Sequence, residues 1–105
     1  MSPVSAVSVI ATLTVKDGKG DDLVAAFEQF WPHLDTEPGT QQYVLHRSTT
    51  DPNVFFVTEL YADQDAFDTH AGGPGFAQLG AALGDHIEQF DLQMAEPVKS
   101  KGVTS

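Results

Sequence analysis

The segment VFFVTELYA, Val54 to Ala62, decides how the rest of the chain folds. It is rich in β-branched and aromatic residues, and alternation puts Phe55, Val57, Glu59 and Tyr61 on one face and Val54, Phe56, Thr58 and Leu60 on the other. That is a strand with two largely apolar faces, and such a strand asks to be covered on both sides. Immediately after it, DQDAFDTHA opens with Asp63, a good helix cap, and ends at the cluster Gly72, Gly73, Pro74, Gly75. Immediately before it, TTDPN, Thr49 to Asn53, is a hairpin connection, with Asp51 ahead of Pro52 and an Asn that tolerates left-handed geometry. A partner strand over Gln41 to Ser48 follows from that turn.

Further out, Val7 to Val15 alternates with Val7, Val9, Ala11, Leu13 and Val15 on one face, which predicts another strand. KDGKGDD is a turn that ends in Asp residues suited to cap a helix. Leu23, Ala26, Phe27, Phe30, Trp31 and Leu34 then form one apolar stripe on a helix of 12 to 14 residues, with Pro32 placed to kink or stop it. TEPGT, Thr36 to Thr40, reads as a turn. FAQLGAALG predicts a second short helix after the glycines, with Phe76, Leu79, Ala82 and Leu83 inward and Gly80 as a weak point. Ile87 to Ala95 is a last strand carrying Phe90, Leu92 and Met94 on one face. The order β, α, β, β, broken α, β is the ferredoxin-like βαββαβ arrangement, an α+β fold with a four-stranded antiparallel sheet. Its helices cover one sheet face, so the two-sided Val54 to Ala62 strand predicts a homodimer with sheets meeting back to back.

A chain of 105 residues has material for one core, so residues 1–105 are expected to form a single domain, with the core over about 7–96 and a polar tail at 97–105 suited to reach a partner. Fifteen acidic residues against five basic ones, a net charge of −10, argue against nucleic acid or an anionic membrane surface as partner. The absence of Cys removes disulfides, thiolate catalysis and Cys-type metal sites. No stretch reaches the roughly 18 apolar residues of a membrane helix, and no basic n-region precedes the first strand, so the expected location is cytoplasmic. The four His residues form no HxH or HxxxH pair, the glycines fit no nucleotide-binding pattern, and no GxSxG occurs. Gly72, Gly73 and Gly75 read instead as a flexible joint able to gate a pocket.

The runs EPGTQQYVLHR and DPNVFFVTELYADQDAFDTHAGGPGF resemble the antibiotic biosynthesis monooxygenase (ABM) domain family of dimeric α/β-barrel proteins, through Pro38, Gly39, Tyr43, Pro52, Phe55, Glu59, Ala66, His70, Pro74 and Phe76. The resemblance covers nearly the whole chain. It implies a homodimeric α/β barrel with a pocket between sheet and helices in each protomer. Several relatives oxidise phenols or quinols with O2 and no metal, flavin or haem, which implies no cofactor here. Other relatives degrade haem or process small metabolites. Tyr61 stands where relatives usually carry Trp, and Gly75 where a His is often found. Haem-degrading relatives use an Asn on the first strand, a Trp on the third and a His on the late helix; Thr12 or Ala11, Tyr61 and Gly80 occupy those places, which disfavours haem degradation.

The candidate catalytic residues are His70, Glu59 and Tyr61. Glu59 lies mid-strand among apolar residues, where a carboxylate needs partners or a raised pKa. It reads as a base, as the group orienting His70, or as a structural acceptor for Tyr43, Arg47 or the His70 helix. His70 reads as a base or hydrogen-bond partner, or as a cap on helix carbonyls. Tyr61 reads as a donor to a substrate oxygen or as core. Phe27, Trp31, Tyr43, Phe55 and Phe76 are expected to line an aromatic pocket. The function that the resemblance, together with these residues, implies is cofactor-independent oxidation of a small aromatic phenol or quinol by O2. The alternatives are a non-catalytic small-molecule-binding or stress-associated dimer and an isomerase or lyase.

Overall fold

The computed structural model describes residues 5–102. The first four and last three residues, included in the expected domain and tail, lie outside the described residues. Strand β1, Val7–Val15, is followed by helix α1, Gly20–Phe30, and a 3-10 segment, Trp31–Thr36. Strands β2, Thr40–Arg47, and β3, Val54–Tyr61, form a hairpin; helices α2, Gln64–Ala71, and α3, Pro74–Leu83, lead into strand β4, Ile87–Ala95. The sheet is antiparallel throughout with the order β2-β3-β1-β4, the α+β ferredoxin-like arrangement expected from the element order.

The alternation in β1 sets the layers. Val9, Ala11, Leu13 and Val15 are buried beneath the helices, opposite Val57 and Phe55 of β3 in register. Leu23, Phe27 and Phe30 of α1 and Leu79 and Leu83 of α3 close that core. Each fully buried apolar side chain of this size contributes roughly 1.5–3 kcal/mol. On the other sheet face Ile10, Val44 and Phe56 are exposed; Ile10 pairs with Thr58, which pairs in turn with Val44. The helices also stop short of β4, whose Phe90, Leu92 and Met94 share the helix-side face and are exposed.

Several local expectations are corrected. The first helix is α-helical only to Phe30; the chain tightens to 3-10 geometry at Trp31, with Pro32 in its first turn. Trp31 itself keeps α-helical backbone geometry, its N–H bonding back to Phe27, but it stands at the edge of the apolar stripe, and its ring ends half-exposed, edge-on to Tyr43. The N-cap of α1 is Lys19 with no side-chain bond; Asp21 and Asp22 sit inside the first turn, where they favour the helix dipole. Asn53 has no left-handed backbone; its side chain ties the β2–β3 turn to Asp17 and Gly18. In α3, Leu79 and Leu83 are buried, whereas Phe76 and Ala82 are exposed. Gly72 and Gly73 are the C-cap of α2 and the N-cap of α3, and Gly75 is buried under His33, whose ring a Cβ at 75 would meet at 2.6 Å.

Candidate active site

His70 is the centre of the site. Asp63 caps α2, its carboxylate accepting the Ala66 N–H at 2.8 Å, and two turns later the helix delivers His70 beneath β2 and β3. The imidazole is only 1% exposed and sits among the rings of Phe30, Tyr43, Tyr61 and Phe76, at centroid distances of 5.3–5.9 Å. Its Nδ1 lies 2.8 Å from Glu37 Oε1. A carboxylate accepts, so this contact places a proton on Nδ1; in the neutral tautomer this leaves, Nε2 would be an acceptor. That Nε2 has no hydrogen-bond partner, and Glu59 Oε1 stands 4.0 Å from it.

Sequence pattern places Glu37 in a turn and no more, yet the turn holds it firmly. Its N–H donates to Leu34, its C=O accepts from Thr40 N at 3.0 Å, and its Oε1 also accepts the Thr40 hydroxyl at 2.8 Å. Next to it, Gly39 lets the chain press against α2: a Cβ at position 39 would overlap the Ala66 methyl. Beside that close approach of Gly39 and Ala66, the Glu37 carboxylate, 33 residues away in sequence, meets His70.

On β3, Glu59 and Tyr61 share a face as parity requires, and the Tyr61 hydroxyl donates to Glu59 Oε1. Glu59 faces Tyr43 across β2 and Val9 across β1, and its side chain is 7% exposed. Burial pushes the Glu59 carboxyl up, opposed by the Tyr61 hydrogen bond and by His70, while Glu37 adds to the rise. Burial, reinforced by Glu59, raises the phenols of Tyr43 and Tyr61 as well, so both are held as neutral O–H groups. Arg47 takes no part: it pairs with Asp21 at 3.0 Å and lies over Phe55.

The structure therefore brings His70, Glu59 and Tyr61 together, but the group on Nδ1 is Glu37 rather than Glu59. The cap reading of His70 does not describe its contacts, because its bonded nitrogen faces a carboxylate. Glu37 and Glu59 approach the ring from its two nitrogens, on opposite sides, and cannot meet on a common ion. Among the described residues no group of three or more His, Asp or Glu side chains is placed to hold a metal.

A cavity of about 250 Å³ lies between the sheet and α3. Phe27, Tyr43 and Phe76 line it; Trp31 and Phe55 do not, the first being turned outward and the second packed in the core beneath Arg47. Glu59 and Tyr43 are the polar side chains in a wall otherwise built from aliphatic and aromatic groups. His70 and Tyr61 stand behind that wall, reached through Glu59. Ala11 of β1 is part of the lining, whereas Thr12 belongs to the other sheet face. Gly80 and Gly84 complete the α3 side.

The model of the family described as antibiotic biosynthesis monooxygenase matches residues 6–82. The chain belongs to this family. It is similar to a solved structure from Caulobacter crescentus CB15, provisionally assigned as an antibiotic biosynthesis monooxygenase, at 32% identity and a TM-score of 0.84, over 91% of this chain and 92% of the other. A Chloroflexus aurantiacus protein with the same provisional assignment is 20% identical, with a TM-score of 0.82 over 95% and 100% of the two chains. A Pseudomonas aeruginosa protein is 19% identical, with a TM-score of 0.83 over 94% and 100%. At those lower identities the likeness is one of fold alone. None of the curated proteins compared with the chain matches it. Every member of the His70 cluster falls within the matched span; β4, which supplies Phe90 and Leu92 to the cavity, lies beyond it.

Proposed function

We propose that this ABM-family chain is a cytoplasmic, single-domain, cofactor-independent monooxygenase that oxidises a small aromatic phenol or quinol with O2. The observation that carries the reading is the buried series Glu37, His70, Glu59, Tyr61 at the polar end of an apolar cavity. In this reading the substrate hydroxyl meets Glu59, a carboxylate whose basicity burial has raised. Glu59 takes the proton and His70 Nε2 receives it, forming an imidazolium flanked by two carboxylates. Glu37 is the positioning residue that keeps Nδ1–H in place and Nε2 free. The neutral Tyr61 hydroxyl holds Glu59 in its rotamer. The resulting phenolate is electron-rich enough to reduce O2; one oxygen atom enters a ring carbon, the other leaves as water, and the substrate supplies all four electrons.

A homodimer through the exposed Ile10, Val44 and Phe56 face is part of the proposal, because those side chains form an apolar surface no helix of the protomer covers. No helix among the described residues is long and apolar enough to cross a membrane. The test is O2 uptake by the purified protein with a panel of hydroquinones and anthrone-like phenols. Uptake that matches product formation and falls at least about a hundredfold in His70→Ala, as expected for loss of a general base, supports the reading. No uptake with any of the panel overturns it. Turnover under strictly anaerobic conditions would move the same proton-transfer groups to an isomerase or lyase.

A further inference from the structure

We infer that Gly80 is the residue that sets which ring systems the cavity admits, by leaving vacant the place an inward side chain would fill. The inference rests on reading the cavity as the substrate site.

The inward face of a helix runs i, i+3, i+4, i+7. In α3 that spacing reads Phe76, Leu79, Gly80, Leu83; all four line the cavity, with Phe76 and Gly80 exposed at it and Leu79 and Leu83 buried. Position 80 lies between them and carries nothing, and a Cβ built there meets no atom within 4 Å. Gly80 has no left-handed φ, so neither backbone geometry nor a close neighbour calls for glycine at this point. By contrast, Gly39 and Gly75 would each drive a Cβ into a neighbouring side chain. Glycine inside a helix weakens it, and what is gained at position 80, which is exposed and lines the cavity, is space left unfilled along its α3 side.

The sheet side of the same space carries the chemistry. Glu59 and Tyr43 line it, and behind them stands the buried His70 Nε2, a polar atom with no partner. An apolar cavity of roughly 150 Å³ holds benzene, so about 250 Å³ has room for a second fused ring. A ligand anchored by a hydroxyl on Glu59 extends its far ring toward α3, where position 80 is the wall without a side chain. No Lys or Arg lines the cavity, so the selection is by size and by one hydroxyl, not by a carboxylate or phosphate.

The experiment is anaerobic calorimetric titration of the full chain and its Gly80→Ala and Gly80→Leu variants with phenol and with 1-naphthol. The wild type is expected to bind both, 1-naphthol more tightly. Binding of 1-naphthol should weaken stepwise through Gly80→Ala to Gly80→Leu, by roughly tenfold or more in the latter, while phenol stays within about threefold. The urea midpoint should rise along the same series, since both replacements are better helix formers, which separates lost binding from lost folding. Unchanged 1-naphthol affinity in Gly80→Leu overturns the inference, as does a Gly80→Leu chain that fails to fold, because the side chain would then have met something. A wild type that binds neither probe overturns it too. Size selection at position 80 without O2 uptake by the wild type leaves the inference standing and removes the oxygenase reading; O2 uptake with two-ring quinols unaffected by Gly80→Leu does the reverse.

Discussion

Replacing Gly39 by Ala should damage the site and the fold together, and the size of the damage follows from one close approach. The backbone at Gly39 is open to any L-residue, since its φ is not positive. The new methyl has one place to go, and the Ala66 side chain of α2 occupies it; the Ala66 backbone is also only 3.4 Å away. Both neighbours are stiff: one is a methyl on a capped helix, the other the turn that holds Glu37 by its bonds to Leu34 and Thr40. Relief requires the turn and α2 to separate, and such overpacking costs about 1–3 kcal/mol. The same separation lengthens the 2.8 Å hydrogen bond between Glu37 and His70 Nδ1.

The rescue is as specific as the damage. Ala66→Gly alone should cost about 0.5–1 kcal/mol, the ordinary penalty for glycine within a helix. Combined with Gly39→Ala it removes the overlapping methyl and leaves the new side chain 3.4 Å from the helix backbone at position 66, so the double variant should be no less stable than Ala66→Gly. Urea unfolding at one fixed protein concentration, with the slope required to stay constant, gives the cycle. Nitrogen chemical shifts of His70 report the second half of the claim: the Nδ1–H tautomer should lose dominance in Gly39→Ala and return in the double variant. A single variant within about 0.5 kcal/mol of wild type, or a double variant that sums the two costs, would show that the packing of Gly39 on Ala66 does not place Glu37.

Three further outcomes are expected. Glu59 has a folded pKa raised above its unfolded value of about 4.3, so its contribution to stability is complete below that pH and is lost as pH rises through the folded value; the stability of Glu59→Gln minus wild type should therefore climb with pH above about 4.3, and a flat difference in urea midpoints between pH 4 and 8 refutes this. Asp63→Ala removes the cap that starts α2 and should cost about 0.5–2 kcal/mol, read from thermal melts, with Asp63→Ser recovering most of it. Phe56→Glu places a charge on the proposed dimer face without touching the core, so sedimentation should find a folded monomer; an unchanged oligomeric state would exclude that face.

What is legible in the sequence is whatever local periodicity writes there. Val7–Val15 and Ile87–Ala95 appear with the bounds their alternation predicts, and Asp63 caps the helix it precedes, because strand parity and capping depend on residues a few positions apart. The stripe through Phe27 and Phe30 is equally clear, but it carries Trp31 along with it. That ring stands at the edge of the stripe and ends half-exposed against Tyr43, a distinction the spacing alone does not make. Gly80 looks like a weak point in a helix; that it is a missing piece of cavity wall depends on what stands opposite, on other elements.

Glu37 escapes a sequence reading for a reason that applies to any imidazole held on both sides. The two ring nitrogens point away from each other, so groups that engage both lie on opposite sides of the ring. Here one comes from the turn before β2 and the other from β3, while the ring itself comes from α2. No short spacing in the chain can encode that arrangement, and a search for paired residues on one strand or one helix finds Glu59 with Tyr61 and stops. The signal present in the chain is indirect: a glycine at 39 whose backbone needs no freedom, beside an acidic residue in a turn. A glycine without a left-handed φ marks either a close approach or a space kept open; Gly39 is of the first kind, as is Gly75, and Gly80 is of the second. Gly39 lies two residues from the acid that meets the base; Gly80 leaves room in the cavity, behind whose Glu59 wall that base stands.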